Sequence, residues 1–294
     1  MIAITGSESF IGARLCAALD ARGQEWTGLD TAPRQRRTRR GDIRGPAVAE
    51  WLPEDGTLIH LAAVSRDSDC RRNPREAFDV NVGGTLNLID AARRRGVRRF
   101  VFASSEWVYG EVANDEVQRE DAPLDAQRLV SEYALSKLAG ERLLAGAARQ
   151  GGFEAVTVLR FGIVYGPRKA NWSAVEMLHD AVAHEDHVEV KGSLATARRF
   201  IHVEDICAGI LAAAGRAAPG FRVFNLSGDW LVTLGEVIET SMRLTGRKPP
   251  VREGAPRAVS IRNPDNARAR TELGWAPAYG LAEGLATLAR RVAA

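Results

Sequence analysis

The chain has 294 residues, 45% of them apolar and 26% charged, and a formal net charge of +3. That length and apolar content can bury a large core, while the nearly balanced charge gives no electrostatic reason to expect a nucleic-acid partner. No apolar run reaches the ~20 residues of a membrane span, the first strand begins at Ile2 with no room for a signal peptide, and Cys16, Cys70 and Cys207 have no CxxC spacing, which predicts reduced thiols in a cytoplasmic protein.

Ile2-Ala3-Ile4 is a short apolar strand, and the turn Thr5-Gly6-Ser7-Glu8-Ser9-Phe10-Ile11-Gly12 leads into a helix beginning Ala13-Arg14-Leu15. Strand, glycine turn and helix make a mononucleotide-binding unit. Gly6 permits the tight turn, Gly12 lets the helix lie close to the sheet, and the helix N-terminus offers unpaired N–H groups and a positive dipole end to a pyrophosphate. A second strand over 25–29 ends at Asp30, about 20 residues beyond the glycines, where a carboxylate accepts hydrogen bonds from ribose hydroxyls and repels a 2′-phosphate. Asp30 therefore favours NAD over NADP, with Arg34, Arg36 and Arg37 pulling the other way.

Further apolar runs at Thr57–His60, 100–103 and Ala155–Phe161 read as buried parallel strands separated by helices. This alternation predicts an α/β fold, a Rossmann-type doubly wound parallel sheet over residues 1–165. After Gly166-Pro167 the pattern loosens into a helix over 174–183 and extended pieces at 188–190, 199–203 and 222–226. These predict a smaller substrate-binding part over 166–294 with segments returning to the sheet, and a substrate cleft between the two.

Tyr133 and Lys137 lie four residues apart in a helix-like segment. On a helix that spacing puts both side chains on one face, about 6 Å apart at Cβ, so the ammonium can favour a phenolate and bring the tyrosine toward general-base duty. The arginine clusters 34–40 and 93–99 fall in loops and helix ends and read as solvated faces. His179, His184 and His187 read as surface histidines, and no metal is expected.

The turn at 5–12 resembles the TGxxGxxG turn of the extended short-chain dehydrogenase/reductase family, in its nucleotide-sugar epimerase/dehydratase branch, with Ser9 in place of the middle glycine. The likeness continues through Gly41-Asp42-Ile43-Arg44, His60-Leu61-Ala62-Ala63, Asn81-Val82-Gly83-Gly84-Thr85, Ser104-Ser105-Glu106-Trp107-Val108-Tyr109-Gly110, Leu159-Arg160-Phe161, Arg198-Arg199-Phe200-Ile201-His202-Val203 and Leu273-Gly274-Trp275. The resemblance implies NAD held by Gly6, Ser9, Phe10, Ile11, Gly12, Asp30, Asp42, Ile43, Leu61, Ala62, Ala63, Asn81, Tyr133, Lys137 and Phe161. It gives Ser105 the catalytic hydroxyl beside Tyr133 and Lys137, and Arg198 the substrate diphosphate, with Arg257 second. Where the family often has a substrate asparagine this chain has Ile163, so Asn171 or Ser65 would supply that contact. The helices over 77–92 and 133–148 resemble a dimer-forming pair, which implies a homodimer.

In the family's 4,6-dehydratases an aspartate acid and a glutamate base follow the catalytic hydroxyl. Here those positions are Glu106 and Trp107, so only half of the pair is present and elimination is disfavoured. The expectation is an NAD-dependent nucleotide-sugar epimerase, acting at C4 through a 4-keto sugar. A 4-keto reductase or sugar dehydrogenase is the alternative, ahead of a 4,6-dehydratase or a non-catalytic NAD- or RNA-binding protein.

Overall fold

A computed structural model describes residues 1–112, 116–216 and 218–289; the end of the expected substrate-binding part, 290–294, lies outside them. Seven strands form one sheet: β1 (Ile2–Thr5), β2 (Trp26–Asp30), β3 (Thr38–Arg40), β4 (Thr57–His60), β5 (Arg99–Ser105), β6 (Ala155–Phe161) and β7 (Gly220–Leu226). Their spatial order is β7-β6-β5-β4-β1-β2-β3 and every pairing is parallel. The order reverses at β1, which pairs with both β2 and β4, and this switch point opens a crevice at the strands' C-terminal ends. β1 and β6 are buried along their whole length, as strands covered on both faces must be.

Helices α1 (Phe10–Asp20), α2 (Thr85–Arg94) and α3 (Glu132–Gln150) follow their strands by crossover. Ser131 caps α3 by accepting from the Ala134 N–H at 3.3 Å, and the helix stops at Gly151, whose φ of 82° is open to glycine at little cost. The segment 77–92 is not one uniform helix: the π-helical turn Asp79–Gly84 precedes α2. One core, including Leu15, Cys16, Ile206 and Leu226, packs on one sheet face; another, including Leu88, Phe100, Phe102 and Leu144, packs on the other.

The second part has its own apolar core, including Val175, Val182, Phe200 and Val237, between α4 (Ala174–His184) and its neighbour α6 (Leu234–Thr245). The extended piece expected at 199–203 is shorter. Two-residue strands at Ala197–Arg198 and Ile201–His202 are separated by Arg199 and Phe200, and α5 (Val203–Arg216) begins at Val203. The piece expected at 222–226 is β7, and it lies beside β6 in the main sheet. His179, expected at the surface, is buried, with Nδ1 3.0 Å from Ser241 Oγ. All three cysteines are free and buried. No helix among the described residues is long and apolar enough to cross a membrane.

Candidate active site

A cleft of about 810 Å³ opens over the switch point. Its floor is the glycine turn. Gly6 has φ 70°, and a Cβ there would come within 2.8 Å of Ala62 N; a Cβ on Gly12 would lie 2.1 Å from Gly6 O. Both contacts are with backbone, so no side chain can be accommodated at either position. Ser9 caps α1, its Oγ accepting from the Gly12 N–H at 3.1 Å, so the serine takes up one of the helix's free donors. Gly12 itself does not line the cleft, whereas Ser9, Phe10 and Ile11 do.

Around this floor the cleft is lined by Asp30, Asp42, Ile43, Leu61, Ala62 and Ala63, and by Phe161 at the end of β6. The Asp30 carboxylate accepts from the Glu8 and Ala32 N–H groups, each at 3.1 Å. Hydrogen bonds from Arg44 hold the Asp42 carboxyl below the usual carboxylate range. His60, behind the wall, sits between Thr5 Oγ1 (2.7 Å) and Thr85 Oγ1 (3.0 Å), and burial, then the Lys137 charge, pushes it down to about 3. Asn81 does not face the cleft. It receives the Val64 N–H at 2.8 Å and donates to Val64 O and Ser136 Oγ, each at 2.9 Å, so it pins the Ala63-Val64-Ser65 wall to α3. Glycine cradle, a carboxylate at the end of β2 and volume together fit a dinucleotide such as NAD.

At the far end of the cleft stand Tyr133 and Lys137, both on α3. Lys137 Nζ donates to Ala103 O at 2.8 Å and lies 5.8 Å from the centre of the Tyr133 ring. Ser105 at the end of β5 stands next to Trp107, its Oγ accepting from the Trp107 N–H at 3.3 Å, and its hydroxyl acts on Tyr133 to favour the phenolate. The expectation that Lys137 draws the phenol toward neutral pH does not describe this geometry. Burial pushes Tyr133 up to about 12 against the Ser105 hydrogen bond, and burial pushes Lys137 down to about 8.

Next to Ser105, Glu106 is fully buried with no hydrogen bond to either carboxylate oxygen, and burial pushes it up to about 7 against the Arg198 and Arg262 charges. Arg198 Nε is 3.6 Å from Glu106 Oε1, while its other nitrogens donate to Ala197 O, Ser260 O and Ser260 Oγ at 2.6–2.7 Å. Trp107 lies edge-on to Tyr133, with ring centres 6.2 Å apart, and carries the Arg262 guanidinium 4.2 Å from its own ring centre.

Ser65 lines the cleft, but Asn171 and Arg257 do not. Asn171 is an exposed loop residue with φ 62°, Arg257 is exposed on the surface, and neither reaches the site. Sequence reasoning missed Glu8, Arg168 and Arg262. Arg168 lies 4.5 Å over the Phe10 ring and 2.7 Å from Glu176, lining the cleft beside the start of α1. Its place directly after Gly166-Pro167 was the available signal; Arg262 sits in no motif at all.

Residues 2–227 match the profile of the NAD dependent epimerase/dehydratase family. A UDP-glucose 4-epimerase of Streptomyces lividans is 30% identical, across 93% of this chain and 90% of that one. A dTDP-glucose 4,6-dehydratase of Streptomyces griseus is 31% identical, across 85% of this chain and 75% of its own length. Among solved structures, MoeE5 in complex with UDP-glucose and NAD is 32% identical with a TM-score of 0.89, covering 100% of this chain and 99% of that one. The same protein in complex with UDP-glucuronic acid and NAD gives 31% and 0.89, covering 99% of each.

Proposed function

We propose that this chain, which belongs to the NAD-dependent epimerase/dehydratase family, is a nucleotide-sugar 4-epimerase that oxidises its substrate to a 4-keto sugar and reduces it again from the other face. The observation that carries this reading is Trp107. At the position where related dehydratases place a glutamate base stands an indole, fixed between Tyr133 and Arg262, that can take no proton from C5. Similarity to a UDP-glucose 4-epimerase and to a protein that binds UDP-sugars with NAD supports it.

In this proposal Tyr133 accepts the proton of the C4 hydroxyl and Ser105 donates to the same oxygen as it becomes a carbonyl. Bound NAD supplies the hydride acceptor and a positive charge in the cleft. Tyr133 must be a phenolate before it takes that proton; Lys137, anchored on Ala103 O with its ammonium 5.8 Å from the centre of the Tyr133 ring, and the positive charge of bound NAD would favour that form. Arg198, beside Glu106 and bonded to Ala197 O and Ser260, would meet the diphosphate. The exposed Phe78 and Leu86, along the stretch that resembles the family's dimer helices, support a homodimer, which light scattering at micromolar protein tests.

The test is turnover of NAD-loaded protein on a panel of nucleotide sugars, one deuterated at C4, run in light and in heavy water. Epimerisation keeps the label at C4 and puts no solvent deuterium on carbon. Tyr133→Phe should lower that turnover by about 10²-fold or more while leaving NAD bound. Accumulating NADH with an oxidised sugar would instead indicate a dehydrogenase. Glu106 favours a second reading, since a buried carboxyl near pH 7 can act as an acid. A 4-keto-6-deoxy product with solvent label at C5 would decide for that dehydratase.

A further inference from the structure

The glycine turn is fastened to the loop after β2 by a carboxylate that plays no part in the proposed chemistry. Glu8 lies in the turn, lines the cleft and is only 8% exposed. Its Oε1 accepts from the Gln35 N–H at 3.0 Å and its Oε2 from Arg34 Nε at 3.3 Å; Arg34 Nη2 donates to Glu8 O at 2.6 Å. The Glu8 N–H in turn donates to Asp30 Oδ2, a carboxylate that also lines the cleft. Burial pushes the Glu8 carboxyl up, but the hydrogen bonds from Gln35, Thr38 and Arg34 hold it below the usual range, so it is an anion at neutral pH. Arg34 also lines the cleft, beside Asp30, and both of its hydrogen bonds are to Glu8.

We propose that Glu8 is a selectivity residue for the dinucleotide: its carboxylate pairs with the Arg34 guanidinium, which the Glu8 main-chain carbonyl also holds, and so cancels at the ribose end of the cleft the charge of a cation that would otherwise receive a 2′-phosphate. Selection of NAD over NADP is then shared between two carboxylates. Asp30 offers acceptors to the ribose hydroxyls, and Glu8 disarms the arginine whose fork suits phosphate oxygens. The inference depends on the cofactor alone and not on which sugar is turned over.

Equilibrium titration of the nucleotide-stripped full chain with NAD and with NADP, followed by tryptophan fluorescence, tests it. Glu8→Gln should tighten NADP by about tenfold or more, the scale of one charge-assisted hydrogen bond, and leave NAD within about threefold. The Glu8→Gln/Arg34→Gln double variant should lose that gain. No gain in the single variant, a gain that survives in the double, or an equal loss of both cofactors would overturn the proposal. If Glu8→Gln does not fold, Arg34→Gln in the otherwise native chain still decides. With its guanidinium already held by Glu8, NADP affinity should stay unchanged, and a tenfold loss would mean that Arg34 was free for phosphate all along.

Discussion

Two buried Arg–Glu pairs, built from the same residue types, differ in how completely they are satisfied. Arg160 on β6 and Glu141 on α3 meet at 2.8 Å, each side chain 4% exposed. Glu141 receives two guanidinium nitrogens and the Ser104 hydroxyl, and Arg160 gives a further bond to Tyr109 Oη at 2.9 Å. Arg198 and Glu106 stand 3.6 Å apart, and both Glu106 oxygens lack a hydrogen bond. The first pair spends its charge on internal bonds and locks the helix to the sheet. The second leaves a carboxyl desolvated and without a hydrogen bond beside Ser105, an arrangement that costs stability.

Breaking the satisfied pair should have the largest effect. Glu141→Ala leaves a buried guanidinium without its partner and should cost about 3–5 kcal/mol, read as a lower urea midpoint at unchanged slope. Glu106→Gln should do the opposite. The folded carboxyl titrates near 7 against 4.5 in the unfolded chain, so the native state binds the extra proton and wild-type stability falls as pH rises from about 4.5 to 7, then levels. The glutamine variant escapes that fall and should be more stable by up to about 3 kcal/mol at pH 8, with no difference below about pH 4.5; denaturation curves at both pH values decide it. Arg198→Ala should weaken binding of a nucleoside diphosphate by about tenfold with NAD binding intact, and should move the Glu106 titration still higher. Equal loss of both ligands would make Arg198 structural, like Arg160.

The same contrast explains what could be read in advance. The glycine turn was legible because positive φ at Gly6 and contact of Gly12 with Gly6 O exclude other residues, and the sheet was legible because parallel strands buried on both faces are continuous apolar runs. Tyr133 and Lys137 shared a helix face by spacing alone. Partners across elements were not legible. Nothing near Arg160 in sequence announces Glu141, and nothing near Glu106 announces Arg198 and Arg262, because those meetings are made by the packing of the second part against the sheet. Asn171 and Arg257 were misplaced for the same reason: local pattern does not aim a loop. Glu8 was hidden in a variable position of a motif read for its glycines.

The late arrival of β7 also bears on how the protein is made. All seven residues of β6, from Ala155 to Phe161, pair with β7 residues 220–226, which leave the ribosome only after the intervening residues 162–219. Until then the nascent sheet ends in an open, largely apolar strand with a full row of unpaired amides and carbonyls, a template for pairing with another chain. A product truncated before residue 220 is therefore expected to aggregate rather than survive as a separate cofactor-binding unit, and synthesis itself carries a window of vulnerability that closes only when the seventh strand docks.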